Sequence, residues 1–96
     1  MRSNIIKTLK RDEIFDRHYA ERIAVDLTLA ELFDSQLAIF LTDRENPKIN
    51  DHHLSWGMQG KRAFSITKDI RVVYVETDET FLFLDIGTHK QVYKQR

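Results

Sequence analysis

"KRAFSITKDIRVVYVETDETFLFLDI", residues 61–86, is the stretch on which the fold turns. It contains three short runs rich in β-branched and aromatic residues, KRAFSIT, RVVYVE and FLFLDI, separated by KD and TDET, which suit tight turns. Consecutive strands with links this short pair antiparallel, as a meander. Side-chain alternation then assigns the faces. Phe64, Ile66, Val72, Tyr74, Leu82, Leu84 and Ile86 are expected on the core side. Arg71, Val73, Val75, Phe81, Phe83 and Asp85 are expected on the other, with Ala63, Ser65 and Thr67. A sheet face that mixes an arginine, a serine and an aspartate with apolar side chains suits a binding surface.

Working back from the meander, the period changes to that of helices. DEIFDRHYAERI, residues 12–23, sets Ile14, Phe15, His18, Tyr19 and Ile23 near helical spacing, with Asp12 and Glu13 in the first turn. DLTLAELFDSQLAIFL, residues 26–41, carries a stripe of Leu29, Leu32, Phe33, Gln36, Leu37 and Phe40. Thr28 and Glu31 in it have capping-box spacing. TDRENP closes this helix, and NIIKTL, residues 4–9, reads as a short strand ahead of both. Neither layer can bury its apolar side alone, so two helices pack on one face of the antiparallel sheet. The expected fold is α+β, one domain over residues 1–96.

Composition narrows the chemistry. The 96 residues include no cysteine, so no disulfide, thiol nucleophile or cysteine-ligated zinc is available. No secretory h-region or membrane-length apolar run is read, which gives the expectation of a cytoplasmic protein without a membrane partner. Fifteen lysines and arginines balance fifteen acids, which argues against nucleic-acid binding by bulk charge. The distribution is uneven, however. Lys61, Arg62, Lys68 and Arg71 face only Asp69 between Gly60 and Tyr74, and Lys90, Lys94 and Arg96 follow the last acid, Asp85. These segments form either a basic patch on a neutral protein or ordinary solvated strand edges.

The strand FLFLDI runs into Gly87, after which His89 and Tyr93 follow four residues apart. A single turn there points both side chains the same way, with Gly87 supplying a bend. The competing assignment has His89 capping the strand and Tyr93 plugging the edge of the core. Adjacent His52 and His53 on a strand point to opposite faces, and no helical HxxxH pair occurs, so no metal site is expected. His18 reads as a packed ring, and Trp56 as a loop residue folded over the core edge. There is no glycine-rich phosphate loop and no nucleophile elbow.

His52–His53–Leu54, then GKRAFSITKDIRVVY and LFLDIGTHKQVY, together resemble the RelE/ParE superfamily of bacterial toxins, closest to the RelE/StbE and YafQ-like ribonuclease branch. The resemblance is carried by the order and spacing of His52, Gly60, Arg71, Gly87, His89 and Tyr93, over about residues 49–93. It implies an N-terminal strand, two helices and a curved antiparallel sheet. It implies an endoribonuclease that cuts mRNA on the ribosome, with no cofactor. A cognate antitoxin is the implied protein partner, and operator DNA is met only through it. His52, Arg71, His89 and Tyr93 match the catalytic positions, and Asp69 matches a YafQ-like acid. Ser65 stands where YafQ-like enzymes have a further histidine, and Ile70 where they have a tryptophan. A ParE-like gyrase inhibitor and a catalytically degenerate antitoxin-binding member are the rival functions.

RNA carries its own nucleophile, so cleavage needs a group to take the 2′-hydroxyl proton, one to protonate the leaving 5′-oxygen, and a cation for the phosphorane. Histidine, titrating near ~6.5, suits the proton steps. Arginine forks onto two phosphoryl oxygens, and tyrosine stacks on a base or bonds a phosphate. The resulting assignment gives Arg71 as clamp, His89 as general acid, His52 as base or positioner, and Tyr93 as nucleotide holder. Lys61, Arg62 and Lys68 would grip the RNA backbone, and Asp69, the YafQ-like acid, is counted with them as RNA-binding. An apolar cluster of Met58, Phe81 and Phe83 is expected to receive the antitoxin.

Overall fold

The computed structural model describes residues 7–55 and 57–93. The element order is β1 (Thr8–Arg11), α1 (Glu13–Arg22), α2 (Leu27–Thr42), β2 (His52–His53), β3 (Arg62–Ser65), β4 (Ile70–Glu76), β5 (Thr80–Thr88) and α3 (His89–Tyr93). Residues 4–6 of the expected first strand and Trp56 lie outside the described residues; the strand itself is centred further along, at Thr8–Arg11.

Two aspartates start the long helices. Asp12 adopts extended dihedrals and accepts a hydrogen bond from the Ile14 backbone N–H at 2.9 Å. Asp26 does the same for Leu29 at 3.3 Å. The helix therefore begins before Thr28, and the expected Thr28–Glu31 capping box is replaced by Asp26. A carboxylate there both accepts an orphan N–H and meets the positive end of the helix dipole.

The five strands form one sheet in the order β1-β5-β4-β3-β2. The meander β3-β4-β5 is antiparallel, as its short links require, and β2 adds antiparallel to β3. The N-terminal strand makes the sheet mixed: β1 pairs parallel with β5, Thr8 to Thr80 through Arg11 to Phe83. A short third helix follows β5.

The face assignment on β5 needs correction. Val73 pairs with Asp85 and the next residue, Tyr74, pairs with Phe83, so Leu84 is an extra residue at a β-bulge. One inserted residue reverses the alternation beyond it. Phe81 and Phe83 therefore turn into the core beside Tyr74, while Leu82 and Leu84 are only half-buried. Ile86 and Val72, on the near side of the bulge, keep their core places. Phe83 sits against Phe15, Phe40, Phe64 and Tyr74 with ring centroids 5.4–6.2 Å apart, and Phe40 stacks on Phe64 at 4.4 Å. Burying such rings supplies both area and oriented ring contacts. The expected exposed cluster of Met58, Phe81 and Phe83 accordingly does not exist.

Gln36, in the apolar stripe of α2, donates to Lys48 O at 2.9 Å and Ser65 O at 3.0 Å. It ties the loop after α2 to β3, and with the Ser65 N–H bonding Ile49 O at 2.7 Å it fixes the approach to His52. On the opposite sheet face, α3 packs over β4 and β5 and buries Val92.

Candidate active site

Arg71 lies in β4 opposite Ser65 on one side and Gly87 on the other. Side chains at these three positions share the face turned away from the aromatic core. Gly87 is not in a left-handed conformation and does not bend the chain as expected; β5 continues through it to Thr88. The requirement is spatial. A Cβ there would stand 2.6 Å from Arg22 Nη1, 2.6 Å from Gln91 Oε1 and 3.1 Å from Gln91 Cβ.

The turn after Gly87 is nucleated by a reciprocal cap. Gln91 N–H donates to Thr88 Oγ1 at 3.2 Å, and Thr88 N–H donates to Gln91 Oε1 at 2.8 Å. This is a capping box, legible as Thr-x-x-Gln but not read from the sequence. It places His89 and Tyr93 on one helical face, with their rings edge to face at 4.6 Å and 78°. The Arg71 guanidinium lies 5.7 Å from the Tyr93 ring centroid.

His52 comes from the other side. Asn50 has φ 45°, a left-handed conformation that asparagine tolerates, and its carbonyl accepts from His52 Nδ1 at 2.7 Å. A carbonyl oxygen can only accept, so the proton is on Nδ1 and Nε2 of the neutral ring carries the lone pair.

His52, Arg71, His89 and Tyr93 line one cleft of about 360 Å³, with His53, Leu54, Ser55 and Met58 completing its wall. Arg71 Nε and Tyr93 Oη are both buried there, and neither has a hydrogen-bond partner among the described residues. Leaving buried polar groups unpaired is costly, so both atoms would gain from a hydrogen-bonding partner.

The other candidates lie elsewhere. Lys68 and Asp69 are exposed in the turn between β3 and β4, which Thr67 Oγ1 organises by accepting from the N–H groups of Asp69 and Ile70. Lys61 is half-buried beside β3. None of the three lines the cleft.

Arg62, expected to grip RNA, is committed within the protein. Its Nη2 donates to Asp51 at 3.1 Å, its Nε to Tyr74 Oη at 3.1 Å, and its Nη1 to His53 Nε2 at 2.9 Å. The Asp51 carboxylate, only 3% exposed, also accepts from Tyr74 Oη at 2.6 Å and Arg44 Nε at 3.1 Å. Arg44 continues to Glu76, which Lys7 also meets at 2.6 Å. The hydrogen bond from Arg44 holds the Glu76 carboxyl down at about 2, against the opposing effect of burial and with help from Lys7. Burial and the neighbouring Asp51 push the Tyr74 phenol well above its ordinary value. Burial disfavours the charge on Arg62, but its bonds to Asp51 and Tyr74 outweigh that and raise it.

A family model described as "Bacterial toxin of type II toxin-antitoxin system, YafQ" matches residues 7–94. The chain belongs to the YafQ toxin family. Solved structures share the fold of this YafQ-family toxin. YafQ from E. coli superposes with a TM-score of 0.70 at 19% identity, covering 91% of this chain and 98% of that one. The toxin in the E. coli DinJ–YafQ toxin–antitoxin complex gives 0.71 at 17% identity, with 93% and 99% covered. A metal-bound toxin from Helicobacter pylori gives 0.68 at 23% identity, with 91% and 99% covered. No curated protein matches the sequence significantly. Among the described residues of this YafQ-family chain, no group of three or more His, Cys, Asp or Glu could hold a metal ion. Among them too, no helix is long and apolar enough to cross a membrane.

Proposed function

We propose that this YafQ-family toxin is an endoribonuclease that cleaves mRNA by attack of the 2′-hydroxyl on the adjacent phosphorus. His52 Nε2, with its lone pair set by the Nδ1–H bond to Asn50, takes the 2′-hydroxyl proton. The new bond runs from the 2′-oxygen to phosphorus; the bond that breaks releases the 5′-oxygen, which receives a proton from His89. Arg71 and the Tyr93 hydroxyl meet the phosphorane oxygens, supplying the charge stabilisation that dominates such reactions. No metal or other cofactor enters this scheme, because the nucleophile belongs to the substrate.

The observation that carries this reading is the pair of unpaired buried donors, Arg71 Nε and Tyr93 Oη, in the cleft lined by two histidines. Lys68 and Asp69 immediately precede the strand that bears Arg71, Lys61 precedes β3, and all three would contact RNA beyond the scissile linkage. The protein partner is a cognate antitoxin, the counterpart of DinJ in the solved E. coli complexes. The substrate is mRNA on the ribosome, in the cytoplasm, and operator DNA is met through the antitoxin.

The test is Arg71→Ala and His89→Gln in purified, folded protein. Each is expected to lower RNA cleavage by roughly 100-fold or more. Full retention of cleavage by both variants removes the mechanism. Growth arrest with altered supercoiling and intact transcripts would instead assign the ParE-like activity.

A further inference from the structure

Among the described residues, no strand pairs with the second half of β5 on its β1 side. β1 pairs with β5 only as far as Phe83, and β4 occupies the other side. The Ile86 carbonyl would therefore lack a sheet partner on the β1 side. Helix α1 closes this edge. Arg22 Nη1 donates to Ile86 O at 2.9 Å and lies 3.7 Å from Asp85 Oδ1. That carboxylate oxygen accepts from His18 Nδ1 at 2.6 Å and from the Ile86 N–H at 2.8 Å.

The same guanidinium reaches the foundations of the cleft. Arg22 Nη1 and Gln91 Oε1 share the space over Gly87 that a Cβ would fill. Gly87 is the ladder partner of Arg71, and Gln91 caps the helix that carries His89 and Tyr93. His18, Arg22 and Asp85 do not line the cleft themselves.

We propose that Arg22, braced by Asp85 and His18, is a positioning residue for the cleft. It holds the Asp85–Gly87 backbone and the first turn of α3 in place, and so sets where His89 and Tyr93 stand relative to Arg71. The kinetic part of this inference rests on the ribonuclease reading; the structural part does not.

The test compares Arg22→Met, which keeps the stem but removes the donors, with Arg22→Lys, whose ammonium can still reach the Ile86 carbonyl. Folded fraction is checked by circular dichroism at the assay temperature. If Arg22→Met does not fold, Asp85→Asn takes its place, with a smaller effect in the same direction. Arg22→Met is expected to lower the maximal cleavage rate by roughly 10- to 100-fold with KM unchanged, as misplacement by about 1 Å can do. Arg22→Lys should retain most of the rate. In NMR spectra, the His89 and Tyr93 ring-proton shifts should move in the Met variant and stay in the Lys variant. Unchanged rate and ring shifts in Arg22→Met, equal losses in both variants, or a loss confined to KM would overturn the proposal. A wild-type protein that cleaves no RNA would defeat the ribonuclease reading, while the ring shifts would still decide the positioning role.

Discussion

Asp51→Ala is the sharpest perturbation of the frame that supports the cleft. The carboxylate is 3% exposed and joins Arg44, Arg62 and the Tyr74 phenol. Removing it leaves Tyr74 Oη in the core without its acceptor and strips Arg62 of its only acidic partner among the described residues. Breaking a buried ion pair from one side costs roughly 3–5 kcal/mol, a large share of the roughly 5–15 kcal/mol that holds a domain together. With a urea slope near 1.5 kcal/mol per molar, the unfolding midpoint falls by roughly 2–3 M. The Asn substitution keeps the shape and one acceptor, and is expected to lose about half as much. Because Asp51 directly precedes His52, the surviving folded fraction should also cleave RNA more slowly. The assay is urea denaturation followed by tryptophan fluorescence and circular dichroism. A midpoint shift for Asp51→Ala equivalent to less than about 1 kcal/mol, the value of an exposed ion pair, would refute the network's role.

Acid should weaken the same network from its other end. The Glu76 carboxyl is held at about 2, below the ordinary 4.5, so its contribution is complete above pH 4.5 and is lost as pH falls towards 2. Discounted for solvent screening at this partly exposed carboxylate, the contribution is on the order of 1 kcal/mol, and Glu76→Gln should flatten this part of the stability–pH curve; an unchanged acid limb would count against it. The bulge predicts unequal neighbours on β5. Phe83→Ala should destabilise by roughly 3–5 kcal/mol and Leu84→Ala by less than half as much, and equal losses on urea denaturation would contradict the inward turn of Phe83.

The meander was legible because KRAFSIT, RVVYVE and FLFLDI carry strand residues bounded by turn chemistry, and the helices because their apolar stripes repeat at helical spacing. The bulge was not. Leu82 and Leu84 alternate with Phe81 and Phe83, so both faces of FLFL are apolar and the pattern alone cannot say which turns inward. The aromatic rings already contributed by Phe40, Phe64 and Tyr74 decide it, and that is a tertiary fact. Likewise, the parallel placement of β1 depends on α1 folding back along β5, which no local signal encodes. At the cleft, the spacing of His89 and Tyr93 was readable and their approach to Arg71 was not, since Arg71, Gly87 and Gln91 meet only through the strand pairing of the folded chain. Arg62 misleads for a related reason: a basic residue in a basic stretch reads as exposed charge, whereas Asp51, eleven positions earlier, folds against it.

The central claim concerns the substrate's own hydroxyl, and the direct measurement is on the RNA. Purified toxin should cut an oligoribonucleotide or ribosome-bound message to leave a 2′,3′-cyclic phosphate or its opened phosphate on one fragment and a 5′-hydroxyl on the other. A single 2′-deoxy substitution at the scissile nucleotide should abolish that cut. Cleavage that persists through the deoxy position, or that leaves a 5′-phosphate, would contradict the account.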